Sequence, residues 1–481
     1  MSSRARRDVI VVGAGPNGLS AAAALAREGL SVLLVEARSE PGGGARTSEL
    51  TLAGFRHDVC STVHPLGLAS PFFRSLGLER HGLEWVHPAA PLAHVLDDGT
   101  AVTLERSIDR TAAQLGTDGD AYRELFTPFV ESFEPLLEMI LGPLRAPSMP
   151  ALFARFGLRA LRSMRGLGAR FDHAPARALL GGIAAHAMVP LGSPATASFA
   201  LVLAAAGHAV GWPLARGGSR AIVDALLACF REAGGELEVD RPIARLAELP
   251  SARAYVLDVT PSQLLAIAGE RLPPSYAARL GRFRYGPGVF KMDWALSGPV
   301  PWREPACARA ATVHLSGDLA EVSGAEACVH AGELPARPFV LFVQPSLFDP
   351  TRAPPGRHVA WAYCHVPHGS TADASEAIEE HVERFAPGFR ERVLGRATMN
   401  AAEMERYNPN YVGGDINGGI SDLTQLFFRP VARLDPYSTP APDIFLCSSS
   451  TPPGGGVHGM CGYWAARSVL ARVFERRIAA A

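Results

Sequence analysis

The first part of the chain alternates between short apolar runs and one helical pattern. Asp8–Val12 and Ser31–Val35 are compact apolar runs rich in β-branched residues, which is typical of buried parallel strands. Between them, from about Asn17 to Glu28, apolar residues recur at helical spacing, and Gly29 is placed to end the helix. The pattern therefore predicts a βαβ unit.

Strand and helix patterns of the same kind return further along the chain. Ala221–Ala233 has apolar residues at helical spacing, Glu236–Leu246 alternates as a strand, and Tyr255–Val259 is a further short strand. Asp443–Cys447 is again a short apolar strand, and a helix reaching Val469 follows it. Strands that alternate with helices are typical of parallel sheets, so we expect these pieces to rejoin the N-terminal unit.

The segments between these pieces have other patterns and predict a second, inserted domain. Residues 106–210 are mostly helical by pattern, whereas residues 271–425 contain strand-like runs such as Val289–Leu296, Phe339–Gln344 and His358–Cys364. The fold class is therefore predicted as α/β, with a Rossmann-like nucleotide-binding domain and a discontinuous α+β substrate domain. The nucleotide-binding domain would comprise residues 1–105, 211–270 and 426–481, and the substrate domain residues 106–210 and 271–425.

A glycine-rich turn joins the first strand to the helix. Its residues complete a G-x-G-x-x-G motif: Gly13, Ala14, Gly15, Pro16, Asn17 and Gly18. Gly13 permits the tight turn, Gly15 lets the backbone approach a pyrophosphate, and Gly18 allows close helix–strand packing. Glu36, at the end of the second strand, can accept hydrogen bonds from both ribose hydroxyls. Because strand, turn, helix, strand and acid occur in this order, the sequence predicts a dinucleotide site.

Composition narrows the classes of function. Lys+Arg 46 against Asp+Glu 47 gives a net charge of -1, and no basic tract is interleaved with aromatic residues, so we expect no nucleic-acid partner. The seven cysteines contain no CxxC pair, which indicates reduced thiols. No apolar signal precedes the first strand, so a cytoplasmic protein is expected. Cys364, His365 and His368 lack a plausible fourth partner, so no metal site is predicted.

The longest apolar stretch is Ala195–Val210. It is too short to span a bilayer and is interrupted by Thr196, Ser198 and His208, so it predicts a buried helix. The alternative is an apolar rim where a lipid-like substrate enters. That alternative would make a peripheral membrane contact possible.

The residues that follow the second strand carry a further motif. Glu36, Ala37 and Arg38 lead into Gly43, Gly44, Ala45 and Arg46. This run resembles the E-x-R-x-x-x-G-G-R segment of the FAD-dependent superfamily that includes amine oxidases and phytoene desaturases. In that family the segment wraps the pyrophosphate and ribityl chain of FAD. Gly44 stands where the family has an arginine, and Arg46 is expected to replace it.

Three other segments extend the resemblance towards the flavin ring. Gly54–Asp58 resembles the family's G-F-x-x-D element, which would bring Ser61, Thr62 and His64 near the ring. Residues 217–246 resemble the second FAD contact, in which the strand position of Ile243 pairs with adenine by its backbone. Residues 448–457 resemble the C-terminal flavin motif, with Ser448 and Pro452 in place of the usual glycine and histidine. That motif implies cofactor contacts from four residues: Ser449, Gly455, Gly456 and Val457.

Lys291, the single lysine of the chain, lies in a stretch that resembles an amine-oxidase strand. The lysine of that strand reaches flavin N5 through a water, which makes Lys291 the one candidate catalytic residue. The other interpretation is a strand-edge lysine that faces solvent. Residues 413–430 resemble the subgroup that contains pyridine nucleotide-disulphide oxidoreductase domain-containing protein 2, although the chain has neither a second GxGxxG motif nor a CxxC pair.

The resemblance implies FAD as the cofactor and an oxidoreductase of the phytoene desaturase-like type. It would transfer hydride between a C–H bond of a small apolar or amphipathic substrate, or of a secondary metabolite, and flavin N5. A flavin amine oxidase is the second interpretation and would require an aromatic pair that flanks the flavin. A non-catalytic escort protein with the same fold is the third. The electron acceptor, whether oxygen, quinone or nicotinamide, and the oligomeric state stay open.

Overall fold

The computed structural model describes residues 6–476, and the strands and helices of that range alternate along most of the chain. The strands are β1 (Arg7–Val12), β2 (Val32–Val35), β3 (Thr47–Ser48), β4 (His57–Asp58), β5 (Trp85–Val86), β6 (Ala90–Val95), β7 (Ala101–Leu104), β8 (Leu214–Ala215), β9 (Glu236–Glu238), β10 (Ala252–Leu257), β11 (Gly288–Leu296), β12 (Ala310–Leu315), β13 (Val340–Val343), β14 (His358–Val366), β15 (Val393–Met399) and β16 (Ile444–Leu446).

The helices are distributed over the whole described range and fill the segment between β7 and β8. They are α1 (Pro16–Arg27), α2 (Pro65–Leu68), α3 (Pro71–Leu76), α4 (Ile108–Ala112), α5 (Gly119–Glu131), α6 (Phe133–Ile140), α7 (Pro150–Ala160), α8 (Met164–Gly168), α9 (Ala174–Ala184), α10 (Thr196–Ala209), α11 (Arg220–Glu232), α12 (Pro261–Ala268), α13 (Pro274–Leu280), α14 (Leu319–His330), α15 (Ser375–Phe385), α16 (Ala401–Tyr407), α17 (Leu423–Phe428) and α18 (Met460–Val473).

A five-stranded parallel sheet has the strand order β16-β10-β1-β2-β9. Its central strand β1 is apolar because both faces of a parallel sheet are covered, and Val9, Ile10 and Val11 have no exposed surface. α1 packs against both α11 and α18. The predicted βαβ unit is confirmed, as is the return of the middle and C-terminal strands to its sheet.

The strand predicted over Glu236–Leu246 is confirmed only for its first residues and is wrong after Glu238. β9 ends at Glu238, and Asp240 then adopts a left-handed conformation with φ of 55°. Pro242 follows and has no N–H to donate to a ladder. Ile243, predicted to contact adenine from a strand, therefore lies in an irregular segment, where its partly buried side chain packs against an apolar cluster.

A seven-stranded mixed sheet forms the second layer, with the order β15-β11-β14-β13-β12-β6-β7. Most neighbours are antiparallel, whereas β12 and β6 are parallel. β6 and β7 come from residues 90–104, which the sequence assigned to the nucleotide-binding domain. Their apolar residues pair with β12 instead, so the first crossover between the two sheets comes before residue 105, the predicted boundary.

Helices α4–α10 occupy the first insertion, in agreement with its predicted helical pattern. α10 confirms the buried helix predicted from the apolar run, because Ala200, Leu201 and Ala204 on it have no exposed surface. Within residues 6–476, no helix is long and apolar enough to cross a membrane.

A buried ion-pair chain joins the N-terminal loop to the second sheet. Arg352 donates from Nη2 to Asp58 Oδ2 at 2.8 Å and from Nε to Asp349 Oδ2 at 2.9 Å, and all three side chains have no exposed surface. Asp58 also accepts hydrogen bonds from the Thr47 hydroxyl and the Ser219 amide. Because the charges are paired and hydrogen-bonded, the pKa of the Asp58 carboxyl is lowered despite its burial.

The contact between α1 and α18 gives the first prediction. A Cβ at Gly462 would overlap the carbonyl oxygen of Asn17 and lie 2.8 Å from the amide nitrogen of Ala21. Gly462→Ala should therefore lower the free energy of unfolding by about 1–3 kcal/mol, as overpacking does. Gly324→Ala on α14 is the control, because no atom lies within 4 Å of its Cβ position, and it should raise stability by about 0.5–1 kcal/mol. Denaturant titration measures both; equal effects would show that the helix contact is not tight.

Candidate cofactor and substrate cavity

One large cavity, of about 830 Å³, opens at the carboxyl ends of the parallel strands. This is the edge where open α/β sheets bind ligands. The glycine turn lines it with Gly15, Pro16 and Asn17, and β10 contributes Asp258 just after its end. The C-terminal turn contributes residues 448–450, 452–453 and 455–458. The rest of the wall comes from the helical insertion and the second sheet.

The glycine turn leaves little room for side chains. A Cβ at Gly18 would overlap the carbonyl oxygen of Gly13, and a Cβ at Gly43 would lie 3.0 Å from the Cα of Gly15. Gly13 has φ of 96°, a conformation that favours glycine. Gly15, at the N-cap of α1, has no side chain to cap the helix, and Pro16 has no N–H. The Gly18 amide donates to Asp258 Oδ2 at 3.0 Å. A helix N-terminus beside closely packed glycines is suited to a pyrophosphate.

Asn17 provides a test of whether a dinucleotide fits. Its Nδ2 lies 3.4 Å from Ser449 Oγ, which joins the glycine turn to the C-terminal turn. Its Oδ1 is buried and has no hydrogen-bond partner among the described residues. A buried polar atom without a partner costs free energy, and a ligand that donates a hydrogen bond in the cavity would satisfy it. The donor set of the two turns therefore fits FAD.

Glu36 is held at the end of β2 by backbone donors. Its Oε2 accepts from the Ala14 amide at 2.8 Å, and its Oε1 accepts from the Arg38 amide at 3.0 Å. The carboxylate is buried and oriented, as recognition of a ribose requires, and Oε2 keeps a lone pair for a hydroxyl. The Arg38 guanidinium donates to the carbonyl oxygens of Arg406 and Tyr407 instead of pointing into the cavity.

The expectation that Arg46 replaces the missing arginine at position 44 is not met by its geometry. The Arg46 guanidinium lies 3.4 Å from Glu36 Oε1 and donates to the carbonyl oxygen of Glu40, and Arg46 does not line the cavity. The space beside Gly44 is filled by Tyr411, since a Cβ at Gly44 would overlap the Tyr411 hydroxyl. Ala45, next to it, is fully buried. Tyr411 thus excludes any side chain at position 44.

The C-terminal turn is anchored on both sides. Ser448 Oγ donates to the carbonyl oxygen of Val259 at 2.7 Å, and Ser450 Oγ donates to that of Gly418 at 2.8 Å. The substitution of serine for the family's glycine at position 448 is therefore accommodated by a hydrogen bond to the segment after β10. Gly455, Gly456 and Val457, which are predicted to contact the cofactor, line the cavity.

The helix predicted after this turn is present and begins just beyond Val457. α18 starts at Met460, and the Met460 amide donates to Nδ1 of His458 at 3.1 Å. The first donor of the helix is therefore used by a side chain, and the helix N-terminus does not reach Val457. Burial lowers the pKa of His458 to about 4, so this ring is neutral at pH 7.

Sequence reasoning missed a buried cation beside the same turn. Arg429, with 2% of its surface exposed, donates from Nη1 to the carbonyl oxygen of Ser449 at 3.0 Å and from Nε to that of Gln425. Its Nη1 also lies 3.1 Å from the Cβ position of Gly454. A positive charge here favours negative charge on a group bound at the turn. The only signal for it in the sequence was that Arg429 lies within residues 413–430, the segment that resembles a known subgroup.

Lys291 does not line the cavity, so the proposed link to flavin N5 through a water stays a prediction. Its Nζ lies 2.5 Å from both carboxylate oxygens of Asp293, and the Trp361 ring covers it at 5.0 Å from the centroid. Both charged side chains are buried, so the solvent-facing alternative is wrong. Trp361 and Tyr363, the residues opposite this pair on β14, line the cavity instead.

Ser61, Thr62 and His64 all line the cavity, as the G-F-x-x-D resemblance indicated. The Thr62 hydroxyl donates to Asp58 Oδ2 and accepts from Trp361 Nε1, both at 2.8 Å. His64 shares a hydrogen bond with Ser219, and burial lowers the pKa of its ring to about 4. Neither His64 nor Thr62 is free to act as a base, because each is engaged in the support of the wall.

The far half of the cavity is apolar and belongs to the helical insertion. α7 and α10 line it with Phe153, Phe156, Phe199, Val202 and Leu203. Among the described lining residues, Asp258 is the only carboxylate, and no lysine or arginine is present. A long apolar compartment therefore continues from a polar turn region, a combination suited to an apolar substrate that meets a bound cofactor.

Three comparisons with known proteins bear on this geometry. Residues 11–76 match the family described as an NAD(P)-binding Rossmann-like domain. The chain is 27% identical to mouse pyridine nucleotide-disulfide oxidoreductase domain-containing protein 2, over 96% of this chain and 93% of that protein. It is 24% identical to a lycopene-forming phytoene desaturase of a Paracoccus species, over 96% of each chain.

A solved structure of putrescine oxidase with putrescine shows the same fold, with a TM-score of 0.64 and 19% identity over 98% of this chain and 99% of that one. Along nearly its whole length the chain is thus similar to a phytoene desaturase, and it shares its fold with an amine-oxidising enzyme. These similarities support an oxidoreductase that uses FAD and favour an enzyme over the non-catalytic escort interpretation. FAD would be held by the glycine turn, Glu36, Asn17 and the C-terminal turn.

The Lys291–Asp293 pair gives a prediction that separates a structural role from a redox role. Lys291→Met should lower the free energy of unfolding by about 3–5 kcal/mol, because it leaves the Asp293 carboxylate buried without its partner. Lys291→Met/Asp293→Leu should recover most of that loss. Denaturant titration measures stability, and stopped-flow reoxidation of the reduced flavin should be unchanged in the double variant. A stable double variant with slowed reoxidation would place Lys291 in the redox chemistry.

Asp258 predicts a pH dependence of FAD binding. Its Oδ2 accepts from the Gly18 amide at 3.0 Å, and burial raises its pKa to about 7. A pyrophosphate at the glycine turn favours the neutral acid, so FAD binding should weaken as pH rises above 7, by up to about tenfold per pH unit. Asp258→Asn should remove this dependence, whereas Asp120→Asn on the surface should retain it. FAD titration by fluorescence quenching measures both; a pH-independent wild type would contradict the prediction.

Proposed function

We propose that the protein oxidises a C–H bond of an apolar substrate, or carries out the reverse saturation, as a phytoene desaturase-like enzyme. FAD would supply the hydride acceptor at N5. The observation that carries the proposal is the apolar far half of the cavity, with Phe153, Phe156 and Phe199 on its wall. Similarity to a phytoene desaturase along nearly the whole chain supports the same substrate class.

The protein's own contribution is binding, orientation and exclusion of water. Val202 and Leu203 on α10 remove a substrate chain from water, and burial of apolar area drives its entry. Trp361 and Tyr363 present a stacked pair of rings, with centroids 5.9 Å apart and planes 23° apart, to the same space. Flat apolar rings of this kind orient an unsaturated chain by stacking.

Among the described residues of the substrate half, none with an acidic or basic group is placed for proton transfer. His186 lines the cavity, but its Nε2 lies 3.2 Å from Nε2 of His314, and burial lowers the pKa of the His186 ring to about 3. Asp258 lies at the glycine turn, away from α10. The chemistry therefore relies on the cofactor and on positioning.

A flavin amine oxidase is the second candidate, and one observation favours it. The Trp361–Tyr363 pair is an aromatic pair in the cavity wall, as an amine oxidase would require. The two rings stack on each other, however, and no carboxylate lies in the far half to attract an ammonium group. The apolar substrate is therefore preferred.

Absorption spectroscopy tests the proposal in two steps. The purified protein should show the flavin bands, and these should bleach without air when an acyclic polyene is added in detergent micelles. An alkyl amine should leave them unchanged. Bleaching by the amine alone would favour the second candidate, and absence of flavin bands after addition of FAD would defeat both. Reoxidation with oxygen, a quinone or a nicotinamide then identifies the electron acceptor.

A cavity variant should separate substrate binding from cofactor binding. Val202→Asp places a carboxylate in the apolar half, so polyene-dependent bleaching should slow by about tenfold or more at limiting substrate. The flavin spectrum should persist, because α10 does not contribute to the glycine or C-terminal turns. Leu334→Asp, at an exposed leucine after α14, is the matched control and should behave as wild type. Unchanged bleaching by Val202→Asp would show that the substrate binds elsewhere.

A further inference from the structure

A surface of unusual composition borders the mouth of the cavity. We name residues 144–165 the arginine rim; they run from the end of α6 through α7 to the start of α8. Leu158 is 76% exposed, Leu144 59% and Leu161 49%, and Met149 is also exposed. Large apolar side chains that share one exposed surface mark an interaction site, because isolated ones are the norm elsewhere.

The rim is also strongly positive, although the whole chain has a net charge of -1. From Met139 to Phe171 the sequence contains no aspartate, glutamate or lysine, but it contains six arginines: Arg145, Arg155, Arg159, Arg162, Arg165 and Arg170. In the described part of the chain, only Arg170 of these six forms an ion pair, with Glu124. Within residues 6–476, the positive charge of the rim is therefore not neutralised by ion pairs.

The rim is continuous with the cavity. Leu144 and Leu161 are exposed to solvent and also line the cavity, and Phe153 and Phe156 on α7 lie on its inner wall. Phe428 at the end of α17 is 55% exposed and lines the same cavity. An apolar path thus leads from the outer surface, between arginines, into the substrate half.

These features together select the partner. A second copy of the chain would bring two unneutralised arginine clusters together, which costs free energy. A nucleic acid would satisfy the arginines but would gain nothing from exposed Leu158 and Met149. A bilayer with anionic headgroups satisfies both, since basic groups bind the headgroups and apolar side chains enter the acyl boundary.

We propose that the arginine rim docks on the surface of a bilayer that contains anionic lipid. Docking places the mouth of the cavity at the acyl boundary, so an apolar substrate can pass from the bilayer into the cavity without crossing water. Docking itself does not depend on the reaction, whereas this delivery rests on the proposed function.

Co-sedimentation of the FAD-loaded protein with vesicles tests the docking. The protein should bind vesicles of phosphatidylcholine mixed with phosphatidylglycerol, bind vesicles of phosphatidylcholine alone far more weakly, and dissociate as salt is added. Arg155→Gln/Arg162→Gln/Arg165→Gln should lower the partition coefficient by about 100-fold, at roughly fivefold per arginine. Met149→Ser/Leu158→Ser should lower it by about tenfold or more, because two apolar side chains no longer enter the bilayer.

The control triple variant removes three exposed arginines from other surfaces: Arg110→Gln/Arg282→Gln/Arg357→Gln. It changes the net charge equally, so binding that falls as much as in the rim variant would reduce the effect to overall charge and overturn the proposal. Equal binding of wild type to both kinds of vesicle would also overturn it. Two further results would overturn it. One is self-association in sedimentation velocity that the rim variants abolish while vesicle binding persists. The other is affinity for a single-stranded oligonucleotide that these variants abolish in the same way.

The two proposals fail in different ways. Retained flavin spectra and melting temperatures show that the rim variants are folded. If the proposed function is right, the variants should still bleach with a polyene supplied in micelles and should slow only when it is supplied in anionic vesicles. If the rim variants lose vesicle binding and wild type shows no polyene-dependent bleaching, the docking is supported and the proposed reaction is wrong.

Discussion

The contact between the two ends of the chain governs the site. α18 lies so close to α1 that only a glycine at position 462 fits over the backbone of Asn17. This contact sets the C-terminal turn beside the glycine turn, and the Asn17 amide completes the link to Ser449, a residue 432 positions away. Neither turn alone forms a cradle for a dinucleotide. The cofactor cavity therefore exists only in the completely folded chain, since its two halves meet through contacts between opposite ends of the sequence.

The second sheet is tied to this cradle by buried charge. Arg352, after the second sheet's strand β13, meets Asp58 from the N-terminal loop and Asp349 from its own segment, without exposure to solvent. A buried charge without its partner costs free energy, so the folded arrangement in which all three charged side chains are paired is strongly favoured. The same loop continues into Ser61 and Thr62 on the cavity wall. Polar contacts as well as apolar packing thus fix the position of the substrate half relative to the cofactor half.

The nucleotide-binding half was predictable because its information is local. The order of strand, glycine turn, helix, strand and Glu36 lies within a short span, and each residue type has a stereochemical reason to be where it is. The C-terminal turn was found in the same way. Periodicity does not determine which neighbour a charged side chain turns to, and the predictions missed two such contacts. The Lys291 ammonium pairs with Asp293, two residues along the same strand, and the Arg46 guanidinium turns to Glu36. The end of β9 depends on the left-handed conformation of Asp240, and the membership of residues 90–104 in the second sheet depends on β12, which lies two hundred residues further along.

Tyr411 has a consequence for how sequences of this kind can change. Its hydroxyl occupies the volume next to Gly44, where related sequences carry an arginine, so the two positions are sterically coupled. An arginine introduced at position 44 alone would collide with the ring, and a smaller residue at position 411 alone would leave a void beside the paired glycines. Each single step is unfavourable, and only the joint exchange restores packing. The identity of the residue at position 411 should therefore covary with that at position 44, because one volume beside the glycine pair can hold only one of the two side chains.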